Sequence, residues 1–355
     1  MTLIDQAAAI REGEELDSRR LSAYLRDHLP GLNGPLSISQ FPGGHSNLTY
    51  LIRVGDREMV LRRPPGGTKA KGAHDMGREY RLLTALRPVF PRVPQTLLYC
   101  DDPEVIGAPF YLMERLRGII IRRELPPELG LNADQVRQLF ARHVETQFQL
   151  HSLDLAAIGL QDFGRPQGYV ERQVQGWSRR YRQATTPGAP DFEPVIAWLE
   201  ANRPPDSDHP GIIHNDFKFD NLVLDPQNPL QIIGILDWEM ATVGDPLMDL
   251  GSTLGYWVEA ADPPEMQPMR TLPTHVPGAM SRREVVAYYA ELAGRRLGDF
   301  SFYYCFGLFR LAVIAQQIYF RYHLGQTRDR RFRTLDEVVR VLHRAALRTM
   351  DRGMT

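Results

Sequence analysis

The sequence predicts an α+β fold in two parts: a strand-rich part over residues 1–116, then a mainly helical part over residues 117–355. Three observations predict it. Residues 36–116 carry short apolar runs punctuated by glycine and proline, with one helical pattern near 76–87. From residue 133 onward most apolar residues recur at helical spacing over long stretches. Between the later helices, residues 211–237 return to short apolar runs separated by polar loops. Strands first and helices afterwards is the α+β order.

Taken in order, a helix over 18–28 is stopped by Pro30 and Gly31. Residues 41–54 read as strand, glycine turn and strand, with Gly43 and Gly44 in the turn. Glu58 to Arg63 forms the next strand, and a helix over 76–87 follows. The run Phe110-Tyr111-Leu112-Met113 is a strand that leads into the charged, glycine-ended segment Glu114 to Gly118, a hinge between the two parts. Asn132 is placed to N-cap a helix over 133–152. Further helices are expected near 169–185, 190–202, 246–258, 282–295, 299–325 and 334–351. Asp245 can cap the helix at 246, with Pro246 in its first turn. The proline-rich stretch 261–277 reads as a long loop in the position of a lid.

The 355 residues suit one large or two medium domains. A formal net charge of −1 gives no support for nucleic acid as a partner. Cys100 and Cys305 match no metal spacing and no disulfide framework, so a reducing, cytoplasmic setting is expected. The first residues lack the basic and apolar regions of a signal peptide. Residues 300–324 are apolar but are interrupted by Arg310, Gln316, Gln317, Arg321 and His323, so a buried core helix is expected and a membrane partner is not.

The richest segment runs from His214 through Asp216 to Asn221 and on to Asp237, a His-x-Asp-x4-Asn spacing followed by an isolated aspartate. Gly211-Ile212-Ile213 ends as a strand at His214, residues 221–224 form the next strand, and 230–236 returns after the turn formers Asp225 to Pro229. Two strands so linked can bring Asn221 and Asp237 to one end of a small sheet. Phosphoryl transfer from ATP needs one carboxylate to take or orient the acceptor's hydroxyl proton, and oxygen ligands to hold Mg2+ against the phosphates. Asp216 fits the first role, with Asn221 and Asp237 as the metal ligands. Asp220 reads as a solvated loop charge and His214 as a brace for the loop.

These residues, with Asp237-Trp238-Glu239 and the segment Gly244-Asp245-Pro246-Leu247-Met248-Asp249-Leu250-Gly251, resemble the aminoglycoside phosphotransferase family. Within it they are similar to the branch that includes the kinase-like domain fused to acyl-CoA dehydrogenases. The resemblance implies a bilobal protein-kinase-like fold with an antiparallel-sheet N-lobe and a helical C-lobe. It implies a phosphate loop at Gly43, Gly44, Ser46 and Asn47, and adenine bonded to the backbone of Glu114 and Leu116 with Met113 behind. Met113 is equally read as plain core. The strand residue that is Lys in many kinases is here Arg62 or Arg63. Alternation along the strand favours Arg62, whose expected partner is Glu79. Lys218 can add positive charge at the γ-phosphate, and Asp249 can brace the loop.

The expected activity is ATP- and Mg2+-dependent phosphorylation of a hydroxyl on a small-molecule acceptor. The resemblance points to a hydroxy acid or hydroxyacyl-CoA. An aminoglycoside is disfavoured because Arg179, Arg180, Arg182, Arg282, Arg283, Arg295 and Arg296 are scattered through the helical part. Tyr256, Trp257 and Trp177 read either as core or as acceptor pocket. A non-catalytic nucleotide-binding module is the alternative, supported by the missing strand lysine. A protein kinase is disfavoured because neither Asp-Phe-Gly nor Ala-Pro-Glu occurs. The sequence sets no oligomeric state.

Overall fold

The computed structural model describes residues 3–42, 47–65 and 75–354. In chain order these form α1 (Ser18–His28), β1 (Leu36–Gln40), β2 (Leu48–Val54), β3 (Arg57–Arg63), α2 (Met76–Leu86), β4 (Thr96–Cys100), α3 (Pro103–Ile106) and β5 (Phe110–Glu114). There follow α4 (Ala133–His151), α5 (Tyr169–Gln183), α6 (Glu193–Ala201), β6 (Gly211–Ile213), β7 (Leu222–Leu224), β8 (Ile232–Ile235), β9 (Thr242–Gly244), α7 (Pro246–Gly255), α8 (Arg282–Leu292), α9 (Ser301–His323) and α10 (Leu335–Arg352). The predicted α+β class is the observed one.

Contacts divide the chain into two units, the first made of Met1–Ile120, Leu222–Asn228 and Ile232–Glu239. Its sheet is antiparallel in the order β1-β2-β3-β5-β4. One face carries Tyr50, Ile52, Met59, Leu61, Phe110 and Leu112, which are buried in a single core with Leu21 and Leu25 of α1 and Val105 and Ile106 of α3. Period-two alternation sends Val60 and Arg62 to the opposite face. Leu82, Leu83 and Leu86 of α2 are fully buried. The β7–β8 hairpin belongs to this unit. Its edge is closed by Ile119, whose N–H donates to Leu224 O (2.9 Å) and whose carbonyl accepts from Leu224 N (2.8 Å). Ile235 N donates to Arg92 O at 2.8 Å. A short hairpin has too little apolar area to stand alone. These bonds explain why residues beyond the expected boundary at 116 group with the first part of the chain. Gly118 permits the approach, since a methyl there would strike the Leu224 carbonyl and the Val223 side chain.

The second unit comprises Ile121–Asn221, Pro229–Gln231 and Met240–Thr355. α9 is its centre, with Phe306, Leu308, Phe309, Ala312 and Val313 almost fully buried. No helix among the described residues is long and apolar enough to cross a membrane. α4 begins with a capping box from Asn132 and Gln135, and Asp245 caps α7 through Leu247 N. β6 pairs with β9, a strand the sequence pattern does not announce. The stretch 261–277 is anchored: Met266, Leu272 and Thr274 are buried, and Asp262 takes a two-pronged bond from Arg282. The first strand ends at Gln40, so Phe41 follows β1 and does not open it. The glycine turn, and Lys69 and Lys71 of the expected flap, lie outside the described residues.

Candidate active site

In the second unit, β6 delivers His214, and residues 214–221 form a loop closed by a single 3-10 turn over Phe219–Asn221. The loop's backbone is held from several directions. Asp249 of α7 is fully buried and accepts from His214 N (3.0 Å) and Asn215 N (2.6 Å). His151 Nε2 lies 3.0 Å from the same carboxylate, and its Nδ1 lies 2.7 Å from Tyr289 Oη. Burial alone would raise the Asp249 pKa, but His151 and the His214 N–H outweigh it and hold the carboxyl below its ordinary value. Thr253 Oγ1 donates to Phe217 O at 2.9 Å, and Arg310 Nη2 donates to Asn215 O at 2.6 Å. His214 is fully buried, with Nδ1 3.3 Å from Asp216 N.

This scaffold presents Asp216. Its Oδ2 accepts from Asn221 Nδ2 (3.0 Å) and faces Lys218 Nζ (3.2 Å). Asn221 Nδ2 also donates to Asp216 O at 2.8 Å, so the carboxamide nitrogen is turned into the loop. Among the described residues neither Asp216 Oδ1 nor Asn221 Oδ1 has a protein donor, and both oxygens are left for other partners. Lys218 lies 4.9 Å from the Tyr256 ring centre and 3.5 Å from Asp220 Oδ2. Burial works against its charge, but Tyr256, Asp216 and Asp220 hold the ammonium above its ordinary pKa. Asp220 is therefore no solvated loop charge. It is partly buried, its pKa is raised by that burial, and it faces Lys218. Trp257 is core, with its indole N–H donating to Met280 O.

In the first unit, Arg62 of β3 is 6% exposed and reaches three carboxylates. Nη1 lies 3.0 Å from Glu79 Oε1 of α2, and Nη2 lies 2.9 Å from Asp237 Oδ1 and 3.9 Å from Glu239 Oε2. Burial would lower the Arg62 pKa, yet Glu79, Tyr111 and Asp237 raise it well above the usual value, so the guanidinium stays charged. Burial pushes the Glu79 carboxyl up, and Arg62 only partly offsets this. Arg63 points elsewhere and donates to Ile106 O. Asn47 is buried and donates to Glu239 Oε2 at 2.8 Å. Gly43, Gly44 and Ser46 lie outside the described residues.

Asp237 follows β8 after one residue, and Leu222 of β7 pairs with Ile235 of β8. Among the described residues, Asn215 and Asp237 are the non-glycine positions with positive φ, both 64°. Asn and Asp tolerate this region better than other side chains, and such strain concentrates at functional sites. In the segment expected to join the two parts, Met113 is buried, while Glu114 accepts from Gln95 N (2.9 Å) and pairs with Arg87 (2.8 Å). Leu116 packs where Gly234 leaves room.

Sequence reasoning missed Glu239 and Arg310. The short spacing from Asp237 signals the first. The second carries no local signal, because α9 reads as plain core.

A model of the phosphotransferase enzyme family matches residues 37–281. Acyl-CoA dehydrogenase family member 11 of Homo sapiens is 34% identical over 328 residues, covering 90% of this chain and 41% of that protein. Family member 10 of Mus musculus is 36% identical over 309 residues, covering 85% of this chain and 28% of that protein. The chain thus spans well under half the length of these curated relatives. A solved protein of Ralstonia eutropha JMP134, described as a candidate aminoglycoside phosphotransferase, is 29% identical with a TM-score of 0.81, covering 96% of this chain and 100% of that one. Choline kinase of Cryptosporidium parvum shares the fold, with a TM-score of 0.62 at 13% identity over 95% of this chain and 97% of that one. With the kinase-like α+β fold and the His-x-Asp-x4-Asn loop in place, this chain belongs to the phosphotransferase enzyme family.

Proposed function

We propose that the protein is an ATP- and Mg2+-dependent kinase that phosphorylates a hydroxyl of a small acceptor. The observation that carries the proposal is the Asp216 carboxylate, held through Oδ2 by Asn221 and Lys218 with Oδ1 left open. In this reading Asp216 Oδ1 receives the hydroxyl of the acceptor and takes or orients its proton. Lys218 keeps the neighbouring charge positive where negative charge develops. Residues 1–116 serve as the nucleotide-binding lobe and 117–355 as the catalytic and acceptor-binding lobe. Gly43, Gly44, Ser46 and Asn47 line the phosphates, Arg62 offsets their charge, and the backbone of Glu114 and Leu116 takes the adenine beside Met113.

Asn221 and Asp237 are the proposed metal ligands. The donor chemistry supports this. Asn221 turns its nitrogen inward and leaves its oxygen, and Asp237 brings a carboxylate to Arg62. Hard oxygen donors suit Mg2+, which takes one or two carboxylates and completes its shell with water and phosphate. Among the described residues no group of three or more His, Cys, Asp or Glu side chains is placed to hold a metal ion. When bound, Mg2+ draws negative charge off the phosphate oxygens.

The kinship to acyl-CoA dehydrogenase family members supports a hydroxy acid or hydroxyacyl-CoA as acceptor, and the proposal extends to a cytoplasmic location. Replacing Asp216 by Asn tests the core of the reading. ATP turnover is expected to fall by about 10²–10⁴-fold, the usual share of a general base, with Mg-ATP still bound. Turnover at the wild-type rate in that variant would remove Asp216 from the chemistry.

A further inference from the structure

Two arginines of the second unit carry charge that no carboxylate answers. Trp177 of α5 is 6% exposed. The guanidinium carbon of Arg180, on the same helix, lies 4.5 Å from its ring centre, and that of Arg310 of α9 lies 5.2 Å away. Like charges therefore share one indole. Cation–π attraction holds each there but cancels neither charge. Arginines elsewhere whose side chains are buried have acidic partners: Arg62 with Glu79, Arg115 with Glu58, Arg282 with Asp262. Among the described residues Arg180 and Arg310 have none. Arg310 is 3% exposed, and Nη2 is engaged by the Asn215 carbonyl and the Met240 sulfur, both uncharged. Burial lowers the Arg180 pKa, and repulsion from Arg310 and Arg179 lowers it further. Arg310 is the buried member and Arg180 the exposed one; a cation removed from water without a counter-ion is unfavourable, so the buried Arg310, with Arg180 beside it on the same ring, is poised to gain from an anion.

The pair borders the proposed chemistry. Arg310 holds the carbonyl of the residue before Asp216. The Tyr256 hydroxyl, pushed up to about 12 first by burial, also feels Asp216, Lys218 and Arg310. We propose that Arg180 and Arg310, seated on Trp177, are the anion-reading residues of the acceptor site, so that the acceptor carries a carboxylate or phosphate group besides its hydroxyl. The proposal rests on the kinase reading of Asp216. Guanidinium forks match both anions in a planar, two-pronged way, and the same charges repel a cationic acceptor.

Calorimetric titration of the full chain with Mg-ADP present tests this, using glycerate, glycerol 3-phosphate, glycerol and ethanolamine as probes. At least one of the anions is expected to bind, with the neutral and cationic probes binding at least tenfold more weakly. Comparing the two anions separates carboxylate from phosphate. Arg180→Gln, at an exposed position, is expected to weaken anion binding about tenfold or more, equivalent to ~1.4 kcal/mol, and Arg180→Lys to recover part of it. The inference is overturned if neither anion binds, if glycerol or ethanolamine binds as tightly, or if Arg180→Gln binds the anion like wild type. Dependence of wild-type ATP turnover on Asp216 is read separately, so the kinase reading and the anion site can fail independently.

Discussion

Arg62 shows how much one side chain can organise. It sits on β3 with its guanidinium nearly removed from water, and its two terminal nitrogens point to different acids, Glu79 through Nη1 and Asp237 through Nη2. A planar fork presents a separate nitrogen to each acid in a fixed geometry, where an ammonium offers one compact point charge. Arg62→Ala leaves the buried Glu79 without its cation and is expected to destabilise the protein by ~3–5 kcal/mol, the range for half of a broken buried pair. Chemical denaturation measures it, and a loss below ~1 kcal/mol, the size of an exposed pair, would mean that the cluster is already solvated. Arg62→Lys is expected to fold yet bind Mg-ATP more weakly; equal affinity by calorimetry would show that the fork is dispensable. This residue was legible in the sequence because strand alternation separates position 62 from 63. Its third acid, Glu239, was missed: the short spacing from Asp237 marks it, but nothing local connects it with Asn47, 192 positions away.

At the level of elements, α7 and α9 meet through glycines. A methyl at Gly307 would strike the Gly251 carbonyl, and one at Gly251 would strike the Tyr303 carbonyl. The contact also sets the loop over 214–221, because α7 carries Asp249 and Thr253, which hold its backbone. Gly307→Ala is expected to cost ~1–3 kcal/mol through overpacking and to lower turnover with it, since the strain is relieved by shifting α7. Thermal melting and ATP turnover read the two effects. A variant as stable and active as wild type would show that the helices can part without moving the loop. Helix starts were readable from sequence, as at Asn132 and Asp245, because a cap and its partner are two or three residues apart. The α7–α9 approach was not, because a glycine inside a helix pattern gives no address for what comes close.

Across the whole molecule, the chain visits the first unit, then the second, returns to the first for β7 and β8, and ends in the second. Ile119 exchanges two backbone hydrogen bonds with Leu224. A fragment of residues 1–120 is therefore expected to lack a cooperative melt by circular dichroism; a sharp transition would show that the hairpin is not needed. Stability should also depend on pH through His143. It is fully buried among Phe217, Phe219 and Trp257, with both ring nitrogens unbonded, and burial lowers its pKa to about 3 from an ordinary 6.5. The neutral ring belongs to the folded state. Its contribution is whole above 6.5 and is lost as pH falls toward 3, at up to ~1.4 kcal/mol per pH unit. His143→Phe should flatten that part of the stability profile, and an unchanged slope would assign the loss to other groups. The sequence by itself determined the α+β order, the long helices, the Asp216 loop and the choice of Arg62, because periodicity, caps and motif spacing act over about ten residues or fewer and are written in neighbouring letters. Only the tertiary structure decided that β7 and β8 complete the first unit, that Glu239 joins Arg62 and Asn47, and that Arg180 and Arg310 share Trp177. Those outcomes depend on burial and on backbone bonds between distant segments, which exist only once the chain has packed.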